Sequence, residues 1–219
     1  MRRSWKVGGW VAGLLCALPA LAAAQAAKPS ADAAATVNAV WVERDVTFTY
    51  MPLTSYYSCD GLRDKVRWIL NELGARPGFK VVARGCVEMQ GPEIMPGVKI
   101  LAAFPAPATP ELLSRLASEA SKRELAARAT GKPDPVAEAT AQFPARVKRV
   151  EFRSGRSSLD DLQDGDCELM EQMRDRVFGP LGVKVIESSL RCVPRQVTIG
   201  AIRMTVEVLE PLPPPNPVP

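Results

Sequence analysis

The stretch CDGLRDKVRWILNELGARPGFKVVARGC, Cys59 to Cys86, decides the fold, because its pattern recurs in CELMEQMRDRVFGPLGVKVIESSLRC, Cys167 to Cys192. Counted from the first cysteine, apolar residues stand at offsets 3, 10, 11 and 14 in both: Leu62, Ile69, Leu70 and Leu73 against Met170, Val177, Phe178 and Leu181. Offset 15 is glycine in each, Gly74 and Gly182, followed by a β-branched run and the second cysteine. Ser58 and Asp166 precede the first cysteines, and both are residue types whose side chains accept a free N–H of a helix's first turn. Each copy therefore reads as a helix with its cysteine in the first turn. An apolar stripe of Cys59, Leu62, Val66, Ile69, Leu70 and Leu73 lies at helical spacing, and the glycine suits the left-handed residue that closes a helix.

Strands flank both helices. Val46, Phe48 and Tyr50 alternate with Asp45, Thr47 and Thr49, the period of a strand with one buried face. Phe79–Ala83 and Val98–Phe104 follow, the latter stopped by Pro105 and Pro107. In the second copy the strands are Val147–Arg153, Val183–Glu187 and about Val197–Leu209, with a bulge expected near Gly200 where the apolar parity changes. Thr109-Pro110-Glu111 opens a connecting helix to about Ala129, and Val136–Gln142 adds a short one.

The expected fold is α+β: two tandem β-α-β-β repeats with pseudo-two-fold symmetry, a mixed sheet with helices packed on it, and one disulfide per repeat. Two abutting subdomains are the alternative. The repeats span 41–108 and 146–210, joined by a helical connector at 109–145; residues 25–40 form a flexible lead-in, and 211–219, PLPPPNPVP, a proline-rich tail.

Residues 1–24 read as a signal peptide. Arg2, Arg3 and Lys6 precede an apolar run from Val7 to Ala24 that ends in small residues, which puts cleavage after Ala24. An uncleaved anchor is the competing reading. The whole chain carries +4, and losing three positive charges with the leader leaves +1 and no transmembrane helix in the mature chain. No block of like charge remains to favour nucleic acid or an acidic membrane surface. Cys16 leaves too, so Cys59, Cys86, Cys167 and Cys192 remain, an even count that reads as two disulfides in an exported protein. Of the three connectivities the repeat selects Cys59–Cys86 and Cys167–Cys192. A helix returning from one strand to a parallel one brings its first turn over the far end of the second, within reach of a cysteine there.

The 219 residues contain no histidine, which excludes Ser-His-Asp and Cys-His catalysis and every histidine-containing zinc site. No cofactor is implied. The best carboxylate cluster is Asp160–Asp166; set against a calcium loop, Asp160, Asp164 and Glu171 fall on ligand positions, but Leu162 stands where an oxygen is needed. The preferred reading is acids gathered at a helix N-terminus. Tyr50, Tyr56 and Tyr57 bracket a Pro-Leu-Thr-Ser loop at the end of the first strand and are the first candidates for contact with a ligand, with packing as the preferred role.

YSCDGLRDKVR at Tyr57–Arg67, GDCELMEQ at Gly165–Gln172 and RCVP at Arg191–Pro194 resemble a group of exported bacterial proteins of uncharacterised function. The resemblance implies an envelope location and brings no catalytic or binding residue. The expected protein is periplasmic or secreted, leaning away from an enzyme. It reads as a non-catalytic binding or structural module that contacts an envelope protein or another envelope component. The alternative is a metal-dependent or carboxylate-based enzyme using Asp160–Glu171.

Overall fold

A computed structural model of the chain describes residues 36–86, 95–130, 141–154 and 162–213. The proposed leader and its cleavage site, the acids Asp160 and Asp161, and the end of the proline tail lie outside the described residues. The elements are β1 (Val37–Thr49), α1 (Cys59–Glu72), β2 (Lys80–Arg84), β3 (Gly97–Pro107), α2 (Pro110–Thr130), β4 (Phe143–Arg153), α3 (167–181), β5 (Lys184–Leu190) and β6 (Ile202–Pro211). In α3, α-helical turns at Cys167–Met173 and Gly179–Leu181 flank a π-helical stretch at Arg174–Phe178, and a 3-10 turn at Asp164–Asp166 leads in.

The six strands form a sheet in the order β2-β3-β1-β4-β6-β5. Every pairing is antiparallel, which corrects the mixed sheet expected from the sequence. β1 and β2 do run parallel, as the crossover geometry requires, but β3 lies between them and bonds both; β6 does the same for β4 and β5. The seam between the two three-stranded halves is short: Val37, Asn38 and Ala39 of β1 meet Ala145, Pro144 and Phe143 of β4. Rings reinforce it, with Trp41 and Phe143 5.2 Å apart and the Arg76 guanidinium 5.6 Å from the Trp41 ring, a cation–π contact.

Boundaries shift for identifiable reasons. β1 begins at Val37, inside the expected lead-in, because Val40 and Val42 continue its buried face. β3 runs through Pro105 and Pro107, opposite Trp41 and Ala39. β2 has ended by then, leaving a free edge where a missing N–H is tolerated. Val197–Gly200 precedes β6, so the change of parity marks a loop; the register shift lies in β5, between Val185 and Glu187.

Both helices close alike. The Gly74 N–H donates to Asn71 O and the Ala75 N–H to Leu70 O; the Gly182 N–H donates to Gly179 O and the Val183 N–H to Phe178 O. This is the Schellman arrangement, and Gly74 and Gly182 take the positive φ it needs, 77° and 81°. Ser58 caps α1, accepting from Gly61 N at 3.1 Å. Asp166 makes no such bond to α3. Its side chain is used elsewhere.

One apolar core runs through both halves. Leu62, Val66, Ile69, Leu70 and Leu73 of α1, Met170, Met173, Val177 and Phe178 of α3, and Phe48, Ile100, Phe152 and Met204 of the strands belong to a single cluster. Trp68 meets Phe152 edge-on and Phe152 stacks on Phe178, so α1, β4 and α3 share one ring contact chain. Truncating a core side chain such as Phe178 costs roughly 3–5 kcal/mol. α2 packs apart, Leu116 covering Val40 and Val42. Arg44 separates the two clusters, its guanidinium beside Gly182 at the C-terminal end of α3, where the helix dipole favours a cation.

Two disulfides are present, Cys59–Cys86 and Cys167–Cys192, with Cα atoms 6.1 and 5.5 Å apart. Each ties the first turn of a helix to the chain leaving the second strand of its half. Urea unfolding of Cys59→Ser and of Cys167→Ser should each show a loss of about 3 kcal/mol, as closure of loops of this size implies. A peptide map showing bridges between the halves would contradict the assignment.

Candidate functional site

The two halves meet in loops as well as in the core, and two buried carboxylates at the start of α3 organise the meeting. Asp166 is 5 % and Glu168 7 % exposed. Isolated burial of such groups is costly, so their partners determine whether they are tolerated. Glu168 Oε2 accepts from the N–H groups of Leu53 at 3.0 Å and Thr54 at 2.9 Å, and Oε1 accepts from the Thr54 hydroxyl at 2.8 Å. The Tyr50 hydroxyl donates to Ser55 O at 2.8 Å and lies 3.5 Å from Glu168 Oε2. One turn on, the Gln172 amide closes a two-way bridge with the backbone of Met51, at 3.0 and 2.7 Å.

Asp166 holds the other end of the same loop. The Tyr57 hydroxyl donates to Oδ1, while Oδ2 accepts from Gln163 N at 2.8 Å and pairs with Lys65 of α1 at 3.0 Å. Gly165 lets the loop come this close, since a Cβ there would lie 2.9 Å from Ser55 Oγ.

A second loop, 191–200, leans on the first. The Thr54 hydroxyl accepts from Arg195 N at 2.8 Å while donating to Glu168. Asp164 Oδ1 accepts from Gly200 N at 2.8 Å, and Cys167–Cys192 fixes the start of the loop. Inside it Gln196 N donates to Val193 O at 3.1 Å, with Pro194 and Arg195 between them and Arg195 at φ 63°. A proline followed by a positive φ is the signature of a type II turn, whose third position favours glycine.

Between the loops lies a notch lined by Thr54, Asp164, Arg191, Val193, Gln196 and Thr198, with room for about one water. The two loops also expose apolar side chains. Met51, Leu53 and Tyr56 of the first loop and Val193, Val197 and Ile199 of the second make up six of the twelve large apolar side chains exposed among the described residues.

The sequence-derived candidates divide accordingly. Tyr50 is fully buried, and its ring stands edge-on to that of Tyr57, 5.2 Å between centroids. Tyr57 is spent on Asp166. Tyr56 alone of the three points outward, at 57 % exposure. Of the calcium-loop positions, Asp164 caps Gly200 and Glu171 lies 3.9 Å from Arg174, while Asp160 lies outside the described residues. Among the described residues no group of three or more Asp, Glu, Cys or His side chains is close enough to hold a metal. Glu168, Thr54 and Gln172 were not singled out in the sequence. The available signal was Glu168 itself, an acid between the core residues Cys167 and Leu169.

Burial works to raise the pKa of Glu168, but the N–H groups of Leu53, Thr54 and Ser55 and the Thr54 hydroxyl outweigh it and hold the pKa below the ordinary 4.5. Its stabilisation is therefore complete above 4.5 and is lost as pH falls through the lowered value. Glu168→Gln should cost about 1–3 kcal/mol at neutral pH, since a donor amide replaces one acceptor oxygen. The difference from wild type should close in acid, read by urea unfolding at stepped pH. A gap independent of pH would refute the carboxylate's role.

Tyr50 and Tyr57 shift the other way. Burial raises both, reinforced by Glu168 at Tyr50 and by Asp166 at Tyr57. Their contribution is whole below the ordinary phenol value of 10.0 and fades as pH rises above it. In an alkaline absorbance titration both should stay un-ionised through that range and titrate only on unfolding. Ionisation of Tyr50 or Tyr57 near 10 in folded protein would contradict the packing.

No family model, curated protein or solved structure matches the chain, so its functional reading rests on the geometry of these two loops.

Proposed function

We propose that the chain is an exported, non-catalytic binding module of the cell envelope that meets its partner through loops 50–57 and 191–200. The observation that carries this is the display of six exposed apolar side chains on two loops, several of whose backbone N–H groups are bonded inward. Exposed apolar patches cost solubility and mark interaction surfaces. Holding one rigid lowers the ordering cost of binding.

Export is supported by the two disulfides, which persist in oxidising compartments. Among the described residues no helix is long and apolar enough to cross a membrane. The scaffold is read as two β-α-β-β repeats related by an approximate two-fold across the β1–β4 seam. Supporting this, strands run β1, β3, β2 outward on one side and β4, β6, β5 on the other, and an antiparallel seam suits a two-fold. The glycine-closed helices and the disulfides fall at matching places. The loops at the site do not match, and function is assigned to that difference.

The enzyme reading finds no such support. Both oxygens of Glu168 are engaged by the loop, and Asp164 holds Gly200.

A photo-crosslinking residue at Tyr56 or Val197, introduced in cells, should yield adducts with a discrete envelope component. The same probe at Leu125, more exposed still on α2, should not. Equal labelling from all three positions, or none from the loops, would refute the assignment.

A further inference from the structure

The apolar loops carry charge of one sign. Arg191 and Arg195 are exposed on the second loop, and neither forms an ion pair among the described residues. Among the described residues, Asp164 lines the notch with Arg191 and is bonded to Gly200 N, and Glu168 is buried beneath the first loop. Arg195 also holds the φ 63° position of its turn, where glycine would sit without a Cβ penalty. A bulky cation kept in an unfavourable backbone conformation points to a role for its side chain.

The backbone suggests the medium. In the first loop the N–H groups of Met51, Leu53 and Thr54 are taken by Gln172 and Glu168, and Tyr50 N donates to Pro96 O at 2.9 Å. In the second, Arg195, Gln196 and Gly200 donate to Thr54, Val193 and Asp164. Loops so satisfied from within can leave water without stranding these donors. Their apolar side chains stand at the loop surfaces, Ile199 at 76 % exposure, around a notch no larger than a water. A deep pocket for a partner's side chain is not what this surface offers.

We infer that the partner is a bilayer: the two loops dip Leu53, Tyr56, Val197 and Ile199 into the interface of an anionic phospholipid membrane while Arg191 and Arg195 pair with its phosphates. This rests on the binding-module reading and names its partner. Arginines near an anionic leaflet add attraction that falls off within a Debye length, and apolar side chains gain by leaving water. The contact is therefore expected to be partly sensitive to salt and partly not.

The test is co-sedimentation of the mature chain with vesicles of phosphatidylglycerol and phosphatidylethanolamine, against vesicles of phosphatidylcholine alone. Binding is expected to the anionic vesicles and weaker by about tenfold to the neutral ones. Leu53→Asp with Ile199→Asp should lower anionic binding by about tenfold or more with the melting temperature kept. Arg195→Gly separates binding from structure. It relieves the turn, so the melting temperature should hold or rise, yet binding to anionic vesicles should fall severalfold.

Equal, salt-independent binding to both vesicle types would overturn the arginine–phosphate assignment. No vesicle binding, with crosslinks from Tyr56 and Val197 to a protein, would overturn the membrane proposal and leave the binding-module reading standing. No vesicle binding and no loop crosslinks would overturn both.

Discussion

Two carboxylates two residues apart, Asp166 and Glu168, are taken out of water at the start of α3, and the arrangement of the molecule around them follows from that constraint. A buried carboxylate is tolerated when its lone pairs are met. Here donors arrive from a different part of the chain: Leu53, Thr54 and Tyr57 from the loop after β1, and Lys65 from α1. Neither side is satisfied alone. Without the loop the acids lack their donors, and without the acids the loop's N–H groups point into an empty acceptor site. Docking of the halves and shaping of the loop are thus one event. Interactions of this kind contribute less to net stability than to fixing one geometry, because desolvation offsets much of the attraction.

The Cys167–Cys192 bond extends the constraint to the second loop. It anchors residue 192 to the helix turn that carries Asp166 and Glu168, and Thr54 completes the circuit by bonding both Glu168 and Arg195. The first loop is held by charge, the second by a covalent bond, and each braces the other through one hydroxyl. Cys59–Cys86 likewise ties the first turn of α1 to the chain leaving β2, but that helix opens on Ser58, an exposed cap that accepts from Gly61 N of its own turn. The two helix starts therefore end in different surfaces, one of which is organised by buried charge.

Much of the scaffold was legible because it is written in local patterns. The helical stripes, the glycines at 74 and 182, the capping serine and the cysteine spacing each depend on a few neighbouring residues. The sheet order did not follow from them. Parallel β1 and β2 are compatible with a mixed sheet until β3 is seen to insert between them, and insertion depends on pairings across the whole chain. The site was less legible still. Asp166 and Glu168 look like ordinary acids at a helix start, and only the approach of a loop more than 100 positions away distinguishes them. Asp166 has the right type and place for a cap and bonds elsewhere, because Tyr57 and Lys65 compete for it. Tyr50 and Tyr56 lie in the same loop with opposite fates, since one faces Glu168 and the other faces out.

Rigidity and exposure are rarely combined in loops without cause. Loops open to water commonly remain mobile, because ordering them costs about 1–2 kcal/mol per residue in backbone entropy. Here buried acids, a disulfide and a glutamine bridge hold two loops that bury few of their own apolar side chains. Had the loops only to close the connections β1–α1 and β5–β6, polar side chains would serve, and Arg195 would be better replaced by glycine. The stabilising contacts thus maintain a surface that does not stabilise the fold itself. That surface gains when something else covers it, and with several of its backbone donors already bonded from within, a medium poor in hydrogen bonds can do so.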